Sequence, residues 1–430
     1  YFHTLPISNI TELCCSAKRL AMVSMAFFQI GCSVVLALFP GADGLQAGLP
    51  IESRQFADGR LKNYLFADFV KQFGRSYMEG TQEWRKREQL FLTSLHEIVA
   101  FNSILPRTWT MGPTQFMDLS DAERNAQLGY KGRGLQPAVA PSNGLSHLEQ
   151  ASQLALPTEL NVEVNKSFGG LVRDQGHCGS CWAMTAASVL EGHMETNAEV
   201  HQAMLTSLQE KEPRQHYATL ASQTMVSCTP NPNHCGGTGG CDGATVELAY
   251  DLVKKRGIPL AVDWNYVSGG GVTPDCREDV FKSPRVGITD YEVLPSNRLL
   301  PLKQALVVSG GPLAVAVDAT GWFHYHSGIL SDGSGRFTVN HAVTLTGYQE
   351  PKAGDLGFWR IKNSWGRFWG ENGYLRLEMK ANEEEHCGWD EHPKQGIACD
   401  GAKPRVWVCG TCGILYDSVY PKGVHLIQDS

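Results

Sequence analysis

A cysteine at position 181 opens an apolar-periodic run within the stretch Gln175-Gly-His-Cys-Gly-Ser-Cys-Trp182. A thiolate at a helix N-terminus is favoured by the helix dipole, which lowers the thiol pKa and makes Cys181 a candidate nucleophile. Gln175, six residues upstream, carries an amide able to donate to a developing oxyanion. Far downstream stand His341, in Asn-His-Ala-Val, and Asn363, in Lys-Asn-Ser-Trp-Gly. An imidazole can hold the thiolate as an ion pair and pass a proton to a leaving amine. A carboxamide oxygen can orient that imidazole. These residue types together can move an acyl group from an amide to sulfur and then to water.

Positioning them requires two kinds of element. Ser180 can cap a helix from Cys181 to about Met194, with Trp182, Ala186, Val189 or Leu190, and Met194 along one face. Later segments turn to period two: Leu313 to Ala319, Ala342 to Tyr348, Phe358 to Asn363 and Tyr374 to Met379. A helical first half would then carry Cys181 and a β-rich second half His341 and Asn363, with the cleft between them as the site. Upstream, residues from about 61 to 122 are charged, helix-periodic and free of cysteine. Phe91, Leu95 and Ile98 form an apolar stripe there, and Glu83 and Arg87 an i,i+4 ion pair. Residues 130–155 are rich in Gly, Pro, Ser and Ala and read as a linker.

The chain of 430 residues is 42% apolar and 19% charged, enough to bury a large core. Its net charge of -7 gives no footing for nucleic-acid binding. Lys18 and Arg19, the apolar run Ala21 to Phe39 and the small residues after it have the order of a secretory signal peptide, rather than a retained anchor. Of 13 cysteines, ten lie between Cys178 and Cys412, which reads as a disulfide framework in an oxidising compartment. Asn9 and Asn165 stand in glycosylation sequons.

The Cys-Gly-Ser-Cys-Trp signature, with His341 and Asn-Ser-Trp-Gly downstream, resembles the papain-like cysteine proteases. Glu83, Arg87, Phe91, Ser94, Ile98 and Asn102 resemble the interspersed motif of that family's propeptide, with Ser94 in place of an asparagine. Gly112, Thr114, Phe116 and Asp118 resemble its Gly-Asn-Phe-Asp motif, with Thr114 in place of Asn. The prodomain most resembles the cathepsin L type. The resemblance implies an α+β fold with two lobes, one helical and one β-barrel-like, and the cleft between, preceded by a helical inhibitory prodomain. It implies a signal region at 1–47, a propeptide at 48–155 whose tail runs through the cleft in the non-productive direction, and a peptidase domain at 156–430. Pro157 resembles the proline near the family's mature N-terminus, placing the maturation cut around Ala155 to Thr158. The Asp-Trp-Arg that usually follows that proline is replaced by Asn161-Val162-Glu163.

The roles implied are nucleophile for Cys181, base and acid for His341, orienting group for Asn363 and oxyanion donor for Gln175. Trp365 would shield the His–Asn hydrogen bond. Gly243 and Ala244 would form the backbone-binding shelf, Ala316 and Val339 the apolar walls, and Asp417 the floor of the P2 pocket, where a carboxylate would admit a basic residue. Cys178 would pair with Cys241 and Cys228 with Cys276, leaving Cys235, Cys387, Cys399, Cys409 and Cys412 unassigned. The insert Asn382 to Lys403 would be a disulfide-pinned loop. His341 lies farther from Cys181 than the family's typical span of about 130–150 residues, and the polar stretch Glu199 to His216 accounts for the excess as a longer surface helix and loop.

The function expected is a cysteine endopeptidase made as a zymogen and activated in acid by protonation of prodomain carboxylates. It would act on proteins or peptides in a lysosome, vacuole or outside the cell, as a monomer inhibited by its own propeptide, with no cofactor, metal, nucleic acid or lasting membrane insertion. An inactive papain-fold binding or inhibitory module is the alternative, and Cys181 argues against it. Cys178 and Cys181 could instead be a redox pair, or zinc ligands with Cys409 and Cys412. Neither accounts for Gln175, His341, Asn363 or a prodomain.

Overall fold

The computed structural model describes residues 60–130, 155–163, 170–331 and 335–428. The signal segment, most of the linker and both sequons lie outside them. Among the described residues no helix is long and apolar enough to cross a membrane.

The first region builds a small helical unit. Helix α1 (Phe66–Gln72) packs Phe66 and Phe69 onto Phe91 of the long α2 (Gln82–Ser103). Thr81 caps α2 by accepting a hydrogen bond from the Trp84 amide, which satisfies one of the N–H groups a helix start leaves unpaired. The chain then forms β1 (Trp109–Met111) and α3 (Asp121–Asn125), whose Ser120 and Glu123 make a reciprocal capping box.

A short strand, β2 (Glu159–Asn161), leads into four helices: α4 (Cys181–Thr196), α5 (Ala198–Lys211), α6 (Ser222–Cys228) and α7 (Val246–Arg256). Every residue of α4 from Cys181 to Met194 is buried. An apolar stripe would cover one face only, so this helix is surrounded by protein rather than laid on a surface. Helix α5 falls within the polar stretch expected to lengthen the chain. In α7, Lys254, Lys255 and Arg256 crowd the last turn, opposing the negative end of the dipole, and Gly257 at φ +71° ends the helix.

The second half contributes the strands. They are β3 (Ile258–Pro259), β4 (Arg285–Gly287), β5 (Asp290–Val293), β6 (Leu313–Val317), β7 (Tyr325–Leu330), β8 (His341–Gln349), β9 (Gly357–Lys362), β10 (Tyr374–Met379), β11 (Cys387–Asp390), β12 (Val406–Cys409), β13 (Ser418–Lys422) and β14 (His425–Ile427), with helix α8 (Leu299–Ser309) before β6. The main sheet runs β1-β7-β10-β9-β8-β6-β13-β5, with β2 added to β8. It does not close on itself, so the second lobe is an open sheet rather than a barrel. Strand β6, Leu-Ala-Val-Ala-Val, is buried at every position, as a strand covered on both faces must be. Two large buried clusters result among the described residues. One joins α4 to α7; the other joins the sheet to α8 and takes in Phe116, Leu119 and Leu128 from the first region. Strands β11 and β12 form a separate hairpin with Trp389 opposite Trp407.

Candidate active site

Cys181 is the first residue of α4, and His341 is the first residue of β8. The two elements pack against each other, and the Ala342 amide donates to the Cys181 sulfur at 3.4 Å. Ser180 precedes the helix but does not cap it with its side chain; its hydroxyl instead bonds the Tyr266 hydroxyl at 2.8 Å.

His341 is wholly buried and its Nε2 lies 2.9 Å from Asn363 Oδ1. The carboxamide oxygen is an acceptor, so the ring carries its proton on Nε2. Nδ1 makes no hydrogen bond among the described residues. Burial pushes the His341 pKa down to about 4, against the raising effect of Asn363. The imidazole is therefore neutral in this state. Asn363 Oδ1 also accepts from the Ser364 amide at 2.8 Å, which fixes the carboxamide. Trp365 lies against the ring, centroids 4.9 Å apart, and is itself buried.

Gln175 is buried, and three hydrogen bonds set its orientation. Its Oε1 accepts from the Ser364 hydroxyl at 2.7 Å, and its Nε2 donates to the carbonyls of Cys178 at 2.8 Å and Gln127 at 2.7 Å. The last partner comes from the first region of the chain. Two residues on, the Gly129 backbone passes so close to the thiol that a Cβ built on it would stand 2.6 Å from Cys181 Sγ and 2.4 Å from the Gly179 carbonyl. Tyr130 then donates its amide to Asn340 O at 3.1 Å and buries its ring in the cluster that also holds Ala316, Val339 and Ala342. Residues Gln127 to Tyr130 thus occupy the cleft, and no side chain larger than hydrogen fits at 129.

The remainder of the first region is anchored on the sheet. Strand β1 pairs with β7, Trp109 opposite Gly328. The Thr114 hydroxyl donates to Phe323 O at 2.8 Å, and Phe116 packs edge-on against Phe323 and Trp365. Within that region, Asp118 accepts from Arg75 and Tyr77, and Arg87 reaches Glu123 with both terminal nitrogens. Ser94, where an asparagine was expected, donates to Met117 O at 2.9 Å, while Asn102 clasps the Met111 amide and carbonyl.

Residues 156–397 match the papain family cysteine protease model, and residues 66–123 match the cathepsin propeptide inhibitor domain. The chain belongs to the papain family of cysteine proteases. It is similar to cysteine proteinase 2 of Leishmania pifanoi, 30% identical over 394 residues that make up 90% of this chain and 78% of the relative. It is similar to fruit bromelain of Ananas comosus, 28% identical over 345 residues, 79% of this chain and 88% of the relative. Among solved structures, recombinant stem bromelain precursor superposes with a TM-score of 0.60 at 26% identity, covering 83% of this chain and 97% of that one. Digestive procathepsin L 3 of Tenebrio molitor larval midgut shares the fold, with a TM-score of 0.59 at 23% identity over 87% of this chain and 100% of that one. The protein is thus a papain-family cysteine endopeptidase carrying an inhibitory propeptide.

Among the described residues four disulfides tie this papain-family chain together: Cys178–Cys241, Cys228–Cys276, Cys235–Cys399 and Cys387–Cys409. They belong with the secretory pathway that serves zymogens of this kind. The sulfurs of Cys178 and Cys409 are thereby committed to bonds, which removes the zinc and redox readings. The cysteine-rich insert is pinned to two other places rather than closed on itself. Among the described residues Cys181 and Cys412 enter no disulfide.

Asp417 does not stand as a single charge, because Glu247 is hydrogen-bonded to it. Burial pushes its carboxyl well above the usual range, and hydrogen-bonded Glu247 pushes it further. The Asp417 carboxyl therefore holds its proton to higher pH than an exposed aspartate does. The carbonyls of Gly129 and Gly236 both press on the side-chain face of Gly243, each 2.3 Å from where a Cβ would stand. Ala244 beside it is buried. Of Glu247, Ser364, Gln127 and Tyr130, only Ser364 stands inside a sequence motif, Asn-Ser-Trp.

Proposed function

We propose that Cys181, His341, Asn363 and Gln175 carry out peptide hydrolysis once residues 48–155 have been removed, leaving 156–430 as the mature enzyme. The observation that supports this reading most is the course of Gln127 to Tyr130: the propeptide gives its Gln127 carbonyl to the Gln175 amide and lays its Gly129 backbone on Cys181. An inhibitor placed there covers the atoms a peptide substrate would use.

Departure of the propeptide relieves the burial that keeps His341 neutral, and its Nδ1 becomes free to take the Cys181 proton. The thiolate attacks the substrate carbonyl carbon. The oxyanion is met by the Cys181 amide at the helix start and by Gln175 Nε2, released from Gln127 and held in place by Ser364. His341 gives its Nδ1 proton to the leaving nitrogen, and the amine departs. Water, deprotonated by the same ring, then opens the thioester. Asn363 keeps the ring in one orientation throughout, and Trp365 keeps water from the hydrogen bond. Ala316, Val339 and the Asp417–Glu247 pair line the pocket for P2, and Gly243 and Ala244 receive the substrate backbone. The enzyme acts as a monomer in a lysosome or vacuole or outside the cell.

The test is labelling of the acid-treated protein with an irreversible epoxide directed at papain-family thiols. Stoichiometric adduct on Cys181 is expected, together with hydrolysis of a Phe-Arg fluorogenic peptide that Cys181→Ala abolishes. An adduct elsewhere, or activity surviving in Cys181→Ala, overturns the assignment.

A further inference from the structure

The cysteine-rich insert crosses from one lobe to the other at the cleft. On the β lobe, Ile397 donates its amide to Val339 O at 3.0 Å. Gly396 lies so close to that carbonyl that a Cβ would stand 2.1 Å from it. On the helical lobe, Ala398 O accepts from the Gly236 amide at 3.2 Å, and the Asp400 amide donates to Asn233 O at 2.9 Å. His234 meets the Asp400 carboxylate at 2.9 Å, and Cys399 is bonded to Cys235. Five residues, 396–400, therefore bridge a β-lobe strand start and a helical-lobe loop, fastened by backbone hydrogen bonds at both ends and by one covalent bond.

Both anchors adjoin the path of the propeptide. Val339 precedes Asn340, whose carbonyl receives the Tyr130 amide, and Gly236 O touches the same face of Gly243 as Gly129 O does. The bridge thus adjoins, on both lobes, residues next to those that Gly129 and Tyr130 touch. Ile397 packs against the buried cluster that contains Tyr130, Ala316 and Val339.

We propose that Gly396–Cys399 is a specificity element of the mature enzyme: it is the wall met by the third residue on the N-terminal side of the scissile bond, and it confines that position to small side chains. This rests on the catalytic reading above, which sets the P2 pocket at Asp417. The disulfide holds the wall in place. A peptide with glycine at P3 passes the bridge, and one with tryptophan meets Ile397 and the backbone of Ala398.

The experiment compares fluorogenic tripeptides with Gly, Ala, Leu or Trp at P3 and constant Phe-Arg at P2 and P1. Active sites are counted by epoxide titration in each preparation. The unaltered enzyme should cleave the P3 glycine peptide with a kcat/KM at least tenfold above the tryptophan peptide. Cys235→Ser/Cys399→Ser and, separately, Ile397→Gly should bring that ratio to within about twofold, while a dipeptide substrate lacking P3 keeps its kcat/KM per active site. Ile397→Gly leaves the disulfide intact and carries the test if the double variant does not fold. A flat P3 ranking in a titratable enzyme overturns the proposal and leaves the catalytic reading standing, as does a ratio unchanged in Ile397→Gly. Failure of the unaltered enzyme to label at Cys181 overturns the catalytic reading and this proposal with it.

Discussion

Gln175 shows how little freedom a catalytic amide is given. Its oxygen is taken by Ser364 and one donor by Cys178 O, so the amide is aimed before substrate arrives. Preorganised donors of this kind are worth about 10²–10³ in kcat when removed. Gln175→Ala in the mature enzyme should therefore lower kcat by that factor with a much smaller change in KM, measured by steady-state kinetics on titrated sites. Ser364→Ala should lower kcat less, since the amide loses its guide but not its proton.

The Asp417–Glu247 pair gives a prediction with a sign. Burial and the neighbouring carboxyl both hold the Asp417 proton above the ordinary range, so the negative charge that a basic P2 side chain needs develops as pH rises. The ratio of kcat/KM for arginine over leucine at P2 should climb with pH. Glu247→Gln removes one of the two raising causes and should move that climb to lower pH. A ratio independent of pH in both enzymes would exclude the pair as the P2 determinant. The Cys181 signature, His341 and Asn363 were readable as residue types because the chemistry demands them. Glu247 was not, because its meeting with Asp417 depends on how α7 turns toward a loop 170 residues away in the chain.

At the scale of elements, the docking of the propeptide carries its own acid response. His324 is buried where β1 joins the sheet. Its Nε2 accepts from Arg124 at 3.1 Å, and Nδ1 lies 3.4 Å from the Thr114 hydroxyl. Arg124 is itself paired with Asp121. Burial first, and the Arg124 cation second, depress the His324 pKa from 6.5 to about 3. The docked state therefore prefers the neutral ring, and docking weakens as pH falls below 6.5 toward 3. Glu123 titrates later. Its hydrogen bonds to Arg87 lower it from 4.5 to about 2, so that stabilisation is complete above 4.5 and lost only as pH falls toward 2. On acidification His324 should therefore respond before Glu123 does. His324→Gln should slow conversion of the zymogen several-fold at pH 5 and by a larger factor at pH 3, with little effect near pH 7, followed by gel densitometry.

The elements themselves were legible to differing degrees. The stripe of Phe91 and Ile98 announced α2, and Tyr374 to Met379 was read to the residue. The sheet's openness was not legible, since closure depends on how strands far apart in sequence pair at β1 and β5. The Ser180 cap failed because Tyr266, distant in sequence, competes for the hydroxyl.

Across the whole molecule, a buried charge pair ties the segment before Gln175 to helix α4. Arg173 grips Glu191 with two hydrogen bonds, at 2.6 and 2.8 Å, and the Glu191 side chain is only 2% exposed. Glu191 also accepts the Leu220 amide at 2.7 Å. Removing one partner leaves the other charged and desolvated, which costs about 3–5 kcal/mol. Glu191→Ala should lower the urea midpoint of the zymogen accordingly, and an unchanged midpoint would show the pair to be dispensable. The pairing of Cys235 with Cys399 across 164 residues is likewise a property of the assembled molecule, and spacing alone offered no reason to choose it.

Strand β1 is borrowed. It belongs to the propeptide yet forms the outermost strand of the catalytic sheet, against β7. When the propeptide leaves, Tyr325–Leu330 becomes the sheet's margin, and backbone donors and acceptors formerly shared with Thr108 and Thr110 turn outward. An open strand margin is a template for any extended peptide that reaches it. Maturation thus gives the protein two new surfaces at once, a catalytic groove and an adhesive edge. The second brings a handling hazard: a freshly activated sample can lose soluble enzyme by edge-to-edge association while every active site remains chemically sound.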